Sequence, residues 1–446
     1  MNIVKELNKP TEWYRSRFDA FERSLNGDSR TPIHELRREA IGRFQETGFP
    51  TNRHEEWKFT NLTPLAGMSF EPSLQYAGVS VTEADIAPLV LPAAHRLVFV
   101  NGHFSSALSS VGELPEGVIC DSLAALVRQS DHVVNAYLGK LVKVDETPFV
   151  ALNTAFLLDG AFLYLPDNTV LEGPVHFLFL TSGDTPALIS PRNLVVIGRN
   201  SQATIVESFG YTKSQQYFTN VVTEMFLGEG AVVEHDKLQQ EKADAYHIAM
   251  MQVNLSGRAT VTSNSIALGG TLVRNNITAV LGGEGIECTL NGLSLGTGSQ
   301  LIDNHTTIDH AQPHCASHEL YKAILDGTSR GVFNGKIFVR QDAQKTDAKQ
   351  TNKTLLLSDD ATMDTKPQLE IFADDVKCTH GATIGQLDAE QIFYLRSRGI
   401  DELKARDILT FAFASDVVSR IHHDALRERL EMLVHDRLSI GRAIGE

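Results

Sequence analysis

Cys378 and His380 are the residues of this 446-residue chain whose types and spacing most directly suggest chemistry. In a β-strand, residues two positions apart share one face, so the thiol and the imidazole would lie side by side. A thiolate can bind iron or carry sulfur, and a neighbouring imidazole can lower the pKa of the thiol. The plain alternative is a small buried cysteine beside a histidine that is satisfied in the core.

A second group places five side chains of metal-binding type within 14 residues, a density that could indicate a metal site. Its members are His305, His310, His314, Cys315 and His318. Pro313 interrupts the segment, and the spacings match no standard zinc pattern. We therefore expect polar strand or turn residues here, and the role of the group stays open.

An acidic group follows further along the chain. Its members are Asp359, Asp360, Asp364, Asp374 and Asp375. Carboxylates on one face of a parallel β-helix could bind calcium and carry out lysis or hydrolysis of a polysaccharide. Solvated corners between strands are the plain alternative.

Two glycine-containing segments resemble nucleotide-binding motifs incompletely. The segment from Gly331 to Lys336 has one residue too few between its glycines for a P-loop, and no Ser or Thr follows its lysine. Gly296 and Gly298 lack the third glycine of a dinucleotide fingerprint. We therefore expect that this chain binds no nucleotide itself.

Short strands separated by polar, glycine-rich corners must position these residues. From Ala231 onward, successive strand-like runs begin roughly 13–16 residues apart, and no proline occurs between Arg192 and Gln312. Proline cannot donate to a strand ladder, so its absence suits strands that are bonded on both sides. The steady spacing favours the stacked coils of a β-solenoid, while a β-sandwich remains the alternative. The clearest runs before Cys378 are Leu320–Leu325, Gly335–Arg340, Lys353–Leu357 and Gln368–Phe372.

Helical periodicity occurs at both ends of the chain. The first 50 residues predict a helical hairpin, with Thr11 as the N-cap of its first helix and Gly27 as the end. Near the C-terminus, Asp388 and Asp401 are suitable N-caps, and a last helix begins at about Asp424.

The second of the three C-terminal helices carries one face of special interest. Ile408, Phe411, Ala412 and Ser415 share that face at helical spacing. Amphipathic helices after a solenoid could cover its open end, which is the simpler interpretation, or they could dock a partner.

Composition excludes several classes of protein. The net charge is −15, which counts against nucleic acid as a partner because a basic face would be needed. The four cysteines are scattered without a Cys-x-x-Cys spacing, as expected for a reducing cytoplasm. No signal peptide is recognisable at the start, and no apolar run approaches the length of a membrane span. We therefore expect a cytoplasmic protein that does not bind membranes.

Two segments resemble a known family. Residues 335–385, beginning GKIFVRQDAQKTDAKQTNKT and ending CTHGATIG, are similar to the C-terminal core of the SufB/SufD family of iron–sulfur cluster assembly scaffolds. The segment RHEEWKFTNL, Arg53–Leu62, resembles the SufD branch of that family. The resemblance implies a right-handed parallel β-helix at residues 151–385, a helical and mixed region at 1–150, and a C-terminal helical domain at 386–446.

The resemblance also implies a function. The chain would be a non-catalytic scaffold subunit that pairs with a SufB-like paralogue, and a SufC-like ATPase would dock on Ile408, Phe411, Ala412 and Ser415. A transient iron–sulfur cluster would form at the interface with the paralogue, with His380 and Cys378 as candidate ligands. Two ligands cannot hold a cluster that usually takes about four, so the partner would complete the site. The type of cluster, the binding of reduced flavin and a homodimer in isolation stay open.

Two other functions remain as alternatives. One is the polysaccharide lyase or hydrolase described above for the acidic group. The other is a structural β-solenoid that polymerises through its ends. Predicted helical caps at both ends of the solenoid count against polymerisation.

Overall fold

A computed structural model of the chain describes residues 9–25, 31–75 and 81–443. These residues form a β-solenoid of about eight coils with helices on its flanks. The helices, in chain order, are α1 (Lys9–Ser24), α2 (Pro32–Thr47), α3 (Thr63–Ala66), α4 (Glu83–Ile86), α5 (Leu123–Arg128), α6 (His132–Tyr137), α7 (Pro148–Ala155), α8 (Ala389–Ser397), α9 (Glu402–Val418) and α10 (Asp424–Ala443). A short 3₁₀ turn spans Glu55–Trp57.

The strands divide between two sheets of eleven strands each. In chain order they are β1 (Glu71–Pro72), β2 (His95–Val100), β3 (His103–Phe104), β4 (Ser110–Val111), β5 (Ile119–Ser122), β6 (Ala161–Leu165), β7 (Val175–Gly183), β8 (Ala187–Ile189), β9 (Arg192–Ile197), β10 (Gln202–Ser214), β11 (Tyr217–Leu227), β12 (Val232–Gln239), β13 (Tyr246–Leu255), β14 (Thr260–Ala267), β15 (Leu272–Leu281), β16 (Glu287–Gly296), β17 (Leu301–His310), β18 (Ala316–Leu325), β19 (Arg330–Val339), β20 (Asp347–Leu356), β21 (Thr362–Ile371) and β22 (Lys377–Gly385).

The chain alternates between the sheets, so each coil contributes one strand to each of them. From β9 onward the odd-numbered strands belong to the first sheet and the even-numbered strands to the second, and neighbours pair in parallel. Val232, Thr260 and Glu287 stand opposite one another on three successive strands of the second sheet. The predicted β-solenoid is therefore confirmed, and the β-sandwich alternative is wrong.

Side chains from the inner faces of both sheets fill the space between them. Apolar residues such as Phe177, Val233, Leu290 and Ile308 form the largest core cluster of the molecule. One coil cannot bury its own inner face, whereas stacked coils bury a continuous core, which explains why the strands are stable only as a series.

The helices pack against the flanks of the solenoid, not over its ends. On the first sheet, Phe149 of α7 packs against Phe218 of β11 with ring centroids 6.0 Å apart. On the second sheet, Ala414 and Val417 of α9 join a core cluster with Leu293 of β16. The simpler interpretation, that the C-terminal helices cover the open end, is therefore wrong, because their apolar faces are used on the side of the second sheet.

The two ends of the solenoid differ. The N-terminal end carries short antiparallel strands, with β5 against β6 and both β3 and β4 against β2. At the C-terminal end, β21 and β22 are the last strands of their sheets. Within the described residues no further coil covers them. The prediction of helical caps at both ends of the solenoid is therefore also wrong.

The helix boundaries mostly follow the sequence signals. The side chain of Asp388 accepts a hydrogen bond from the backbone N–H of Glu390, and that of Asp401 accepts one from Lys404, as expected of N-caps. The first helix begins at Lys9, so Thr11 lies inside it and is not its N-cap. The predicted end at Gly27 lies outside the described residues. Among the helices in the described ranges, none has the length and hydropathy that a membrane crossing requires.

Candidate functional site

The open C-terminal end of the solenoid is where the predicted site residues lie. Within the described residues, β22 has one strand neighbour, β20, and its residues are exposed or half-buried along their whole length. The helix that follows, α8, is likewise exposed or half-buried at every position. Phe393 and Tyr394 of α8 are 72 % and 58 % exposed, and Phe372 beside the end is 58 % exposed. Such a concentration of exposed apolar side chains is typical of a protein–protein interface.

Cys378 and His380 share the inner face of the solenoid. Their partners on β20 are Ala348 and Gln350, which lie in the core and are at most 1 % exposed. One coil later, Cys378 is half-buried and His380 is exposed, because no following coil covers them. The predicted side-by-side placement of the two residues on one strand face is confirmed.

The free edge of β22 presents backbone groups as well as side chains. The N–H of Lys377 donates to the carbonyl of Thr346 at 2.8 Å, which fixes the alternation of the ladder to β20. Because neighbouring residues of a strand direct their N–H groups to opposite edges, those of Cys378, His380, Ala382 and Ile384 point away from β20. The same four residues thus combine an inward side chain with a backbone group available to another strand.

The thiol of Cys378 is not activated within this chain. Its side chain packs on the apolar cluster that contains Ile337 and Ala348. Burial, and then the nearby Asp347 carboxylate, raise the pKa of the Cys378 thiol. The expectation that the imidazole would lower this pKa is wrong, since burial disfavours the thiolate.

Two polar residues stand behind His380 in the same inward column. The column runs from Glu319 through Gln350 to His380 on β18, β20 and β22. Gln350 Nε2 donates to Glu319 Oε2 at 2.6 Å, and burial raises the pKa of Glu319 to about 7. Neither residue was identified from the sequence. The only signal there is that Glu319 directly precedes the apolar run Leu320–Leu325.

The predicted docking face of α9 is partly exposed. Ile408 and Ala412 are exposed, whereas Phe411 and Ser415 are half-buried. Phe411 packs against the helical core cluster, and its carbonyl accepts a hydrogen bond from Ser415 Oγ at 2.8 Å. Ile408 and Ala412, which are one helical turn apart, therefore leave apolar surface exposed on α9.

The histidine-rich group does not converge on one point. His305 faces outward against Asp303 and Glu56, at 3.0 and 3.3 Å. His310 is buried inward, with Nε2 2.9 Å from Ser317 Oγ. His314 lies in a turn with a left-handed backbone conformation. Cys315 is buried, and its thiol donates to a backbone carbonyl. His318 is exposed on a strand. The described residues contain no cluster of three or more histidine, cysteine, aspartate or glutamate side chains that could hold a metal ion.

The acidic group also lies apart. Asp359 and Asp360 occupy the turn before β21, and Asp374 and Asp375 the turn after it, at opposite edges of the coil. Asp364 pairs with Arg330 at 2.6 Å. The arrangement does not gather the carboxylates on one face, which removes the basis for the polysaccharide enzyme. The incomplete P-loop is part of strand β19.

A strap from the N-terminal region, residues 55–60, crosses the outer face of the first sheet. Trp57 is 6 % exposed, and the guanidinium of Arg274 lies 3.8 Å from its ring centre. Arg274 also pairs with the buried Asp303 at 2.7 Å. Further along, Glu55 pairs with Lys366 of β21 at 2.5 Å. Trp57 is thus a packing anchor, and the strap joins the N-terminal region to the last coil.

Sequence comparisons cover nearly the whole chain. The family model described as "SUF system FeS cluster assembly, SufBD core domain" matches residues 179–413, and that described as "SufBD protein N-terminal region" matches residues 8–177. An iron–sulfur cluster assembly SufBD family protein of Synechocystis sp. is 39% identical over 399 residues, 87% of each chain. The iron–sulfur cluster assembly protein SufD of Escherichia coli is 33% identical over 401 residues, 89% of this chain and 90% of its own. SufD of Bacillus subtilis is 28% identical over 328 residues, 72% of this chain and 74% of its own.

Proposed function

This chain belongs to the SufBD family of iron–sulfur cluster assembly proteins, and from that premise we propose that it is a non-catalytic scaffold subunit of a SufBCD-type complex. Family membership supports a role in iron–sulfur cluster assembly. The finer proposal is that the open end of its solenoid forms one half of the assembly site and that a SufB-like paralogue supplies the other half.

The open end is the single observation that carries this proposal. An inward column that is buried on every earlier strand becomes accessible at β22, where it ends in His380, with Cys378 alongside. An imidazole and a thiol at such an end can bind iron, but they are too few to hold a cluster alone. We therefore assign them as transient ligands that thiolates of the paralogue complete.

The paralogue would dock as an added strand on β22. The free backbone groups of Cys378, His380, Ala382 and Ile384 offer the hydrogen bonds, and exposed apolar residues such as Phe372 offer contact area. Docking of this kind would bring the partner's ligands directly over the inward column. It would also cover an edge that is otherwise a liability for aggregation.

The ATPase would dock on the outer side of α9. Exposed Ile408 and Ala412 lie there, and Phe393 of α8 adds an exposed aromatic ring nearby in the chain. Under this proposal the SufC-like partner binds and hydrolyses ATP, and the resulting movement opens the interface between the two solenoids. We assign the complex to the cytoplasm, where the four free cysteines would stay reduced.

Co-expression with the SufB-like and SufC-like proteins of the same host tests the proposal. The native mass of the purified complex is expected to correspond to this chain, one paralogue and a pair of ATPase subunits. A chain that purifies without either partner would contradict the proposed function and leave the fold unaffected.

A further inference from the structure

A buried lysine, Lys322 of β18, joins the solenoid to the helix α9. Its side chain is 5 % exposed. Its Nζ donates to the backbone carbonyl of Phe413 at 2.9 Å and lies 2.8 Å from Asp416 Oδ2. The same Nζ lies 4.3 Å from the centre of the Phe413 ring. Lys322 therefore has three directional contacts on a single turn of α9.

The surrounding interface is apolar. Leu293, Leu320 and Ile324 of the second sheet pack in one cluster with Ala414 and Val417 of α9. Apolar contact has no preferred direction, so it permits small shifts of a helix along a sheet. A buried ammonium does not permit such shifts freely, because leaving its partners would strand a charge away from water. Lys322 thus fixes where α9 sits on β18.

The strand that carries Lys322 is linked in register to the open end. Lys322 stands opposite Lys353 of β20, which stands opposite Thr383 of β22. Side chains reinforce the ladder, since Asn352 Nδ2 donates to the carbonyl of Tyr321 at 3.2 Å. A displacement of β18 is therefore passed through two ladders of hydrogen bonds to the strand that bears His380.

We propose that Lys322 is the positioning residue that couples α9 to the open end of the solenoid. The inference rests on the proposed function, in which the ATPase docks on α9 and its movement must reach β22. Lys322 touches neither the docking face nor the assembly site, so its removal separates ATP hydrolysis from cluster formation.

The test uses the reconstituted complex with Lys322→Met, which keeps an unbranched stem and removes the charge and the donors. Lys336→Met is the matched control, because Lys336 is a half-buried lysine of β19 whose Nζ lies 2.7 Å from Glu370 Oε1 on the first sheet. ATP hydrolysis and cluster formation are measured in the same sample. We expect Lys322→Met to change the hydrolysis rate by less than about twofold and to lower the clusters formed per ATP by about tenfold. Lys336→Met is expected to leave that ratio unchanged.

The number of clusters formed per ATP distinguishes a coupling role of Lys322 from a merely structural one. If Lys322→Met lowers hydrolysis and cluster formation together, or leaves both unchanged, the inference is wrong. If Lys322→Met fails to assemble, Asp416→Asn is used instead. It removes the ion pair while the hydrogen bond from Lys322 to the Phe413 carbonyl remains. An unchanged number of clusters per ATP in that variant would likewise contradict the inference. A wild-type complex that forms no cluster would instead contradict the proposed function.

Discussion

His380 and Gln350 occupy the same inward position on neighbouring strands, yet only His380 is accessible. The difference comes from position in the stack and not from residue type, because each coil is covered by the next one. A residue at the last position can therefore meet a partner without any rearrangement of the fold. Substitution of His380 should therefore change the free energy of unfolding little, so an effect on function can be measured in a folded protein.

We predict that His380→Ala leaves the thermal unfolding of the chain and the mass of the complex unchanged. An exposed substitution usually alters the free energy of unfolding by less than about 0.5 kcal/mol. Cluster formation, followed by visible absorbance in the reconstituted complex, is expected to fall by about tenfold or more, as for loss of a group that holds a metal. His318→Ala, at an exposed position on the outer face of β18, is the matched control. Normal cluster formation by His380→Ala would exclude the ligand role.

A second residue-scale prediction concerns Glu319. Burial raises its pKa from 4.5 to about 7, so the folded chain favours the neutral acid. Its contribution to stability is therefore complete below pH 4.5 and is lost as the pH rises to about 7. Glu319→Gln removes this loss and is expected to raise the free energy of unfolding by about 3 kcal/mol at pH 8. Denaturant unfolding at pH 8 and pH 4.5 checks it, and an equal gain at both values would contradict it.

The sequence predicted candidate residues where their placement depends only on their neighbours in the chain. Cys378 and His380 stand two positions apart, so strand alternation alone places them on one face. Glu319, Gln350 and Lys322 were missed, because their contacts depend on which strands pair and in which register. The Glu319–Gln350 bond joins residues 31 positions apart, and nothing in either segment alone specifies that pairing.

At the scale of elements, α9 has two different faces. Ala405, Ala414, Val417 and Val418 are buried, whereas Ile408 is 39 % exposed. Helical periodicity predicted the face with Ile408, Phe411, Ala412 and Ser415, but not the buried face that meets the solenoid. The exposed face and the buried face of α9 are both apolar enough to pack. Only the contact of the buried residues with β16 and β18 shows which face meets the solenoid.

We predict that Ile408→Asp weakens binding of the ATPase by about tenfold, because it places a charge in a desolvated contact. Met432→Asp on α10 is the matched control, since Met432 is an exposed apolar residue on the neighbouring helix. Phe411→Asp is less informative, because Phe411 also packs in the helical core. Affinity is measured by titration of the purified ATPase. Equal affinity of the Ile408 and Met432 variants would exclude α9 as the docking face.

At the scale of the whole molecule, the solenoid has one open end and one end with short antiparallel strands. Two chains that meet through identical open ends form a closed pair and leave no end for a third. A structural polymer needs two complementary ends, so this asymmetry favours the scaffold over the polymer. The sequence predicted the stacked coils from their spacing but not this asymmetry, because the position of the flanking helices depends on tertiary contacts.

We predict that the isolated chain forms pairs and not longer assemblies as its concentration rises. Ile384→Lys, at the open end of the second sheet, is expected to keep it monomeric, because an edge lysine opposes strand addition. Val111→Lys is the control at the opposite end of the same sheet, where the side chain is 40 % exposed against 46 % for Ile384. Sedimentation of both variants gives the answer. Pairing by the Ile384 variant, or continued growth beyond pairs by the wild type, would contradict the prediction.

The strap at residues 55–60 has a consequence for the order in which the chain folds. Its ion pair between Glu55 and Lys366 spans 311 residues of sequence. During synthesis the strap emerges early and can pack Trp57 on Arg274 once β15 exists. Its Glu55–Lys366 pair cannot form until the last coil exists, and contacts of such long range form slowly. Formation of the Glu55–Lys366 pair therefore marks a completed solenoid, and an interrupted product would hold the strap only by its contacts to earlier strands. Protection of the Glu55 end of the strap from protease would thus report that the end of the solenoid is ready to meet a partner.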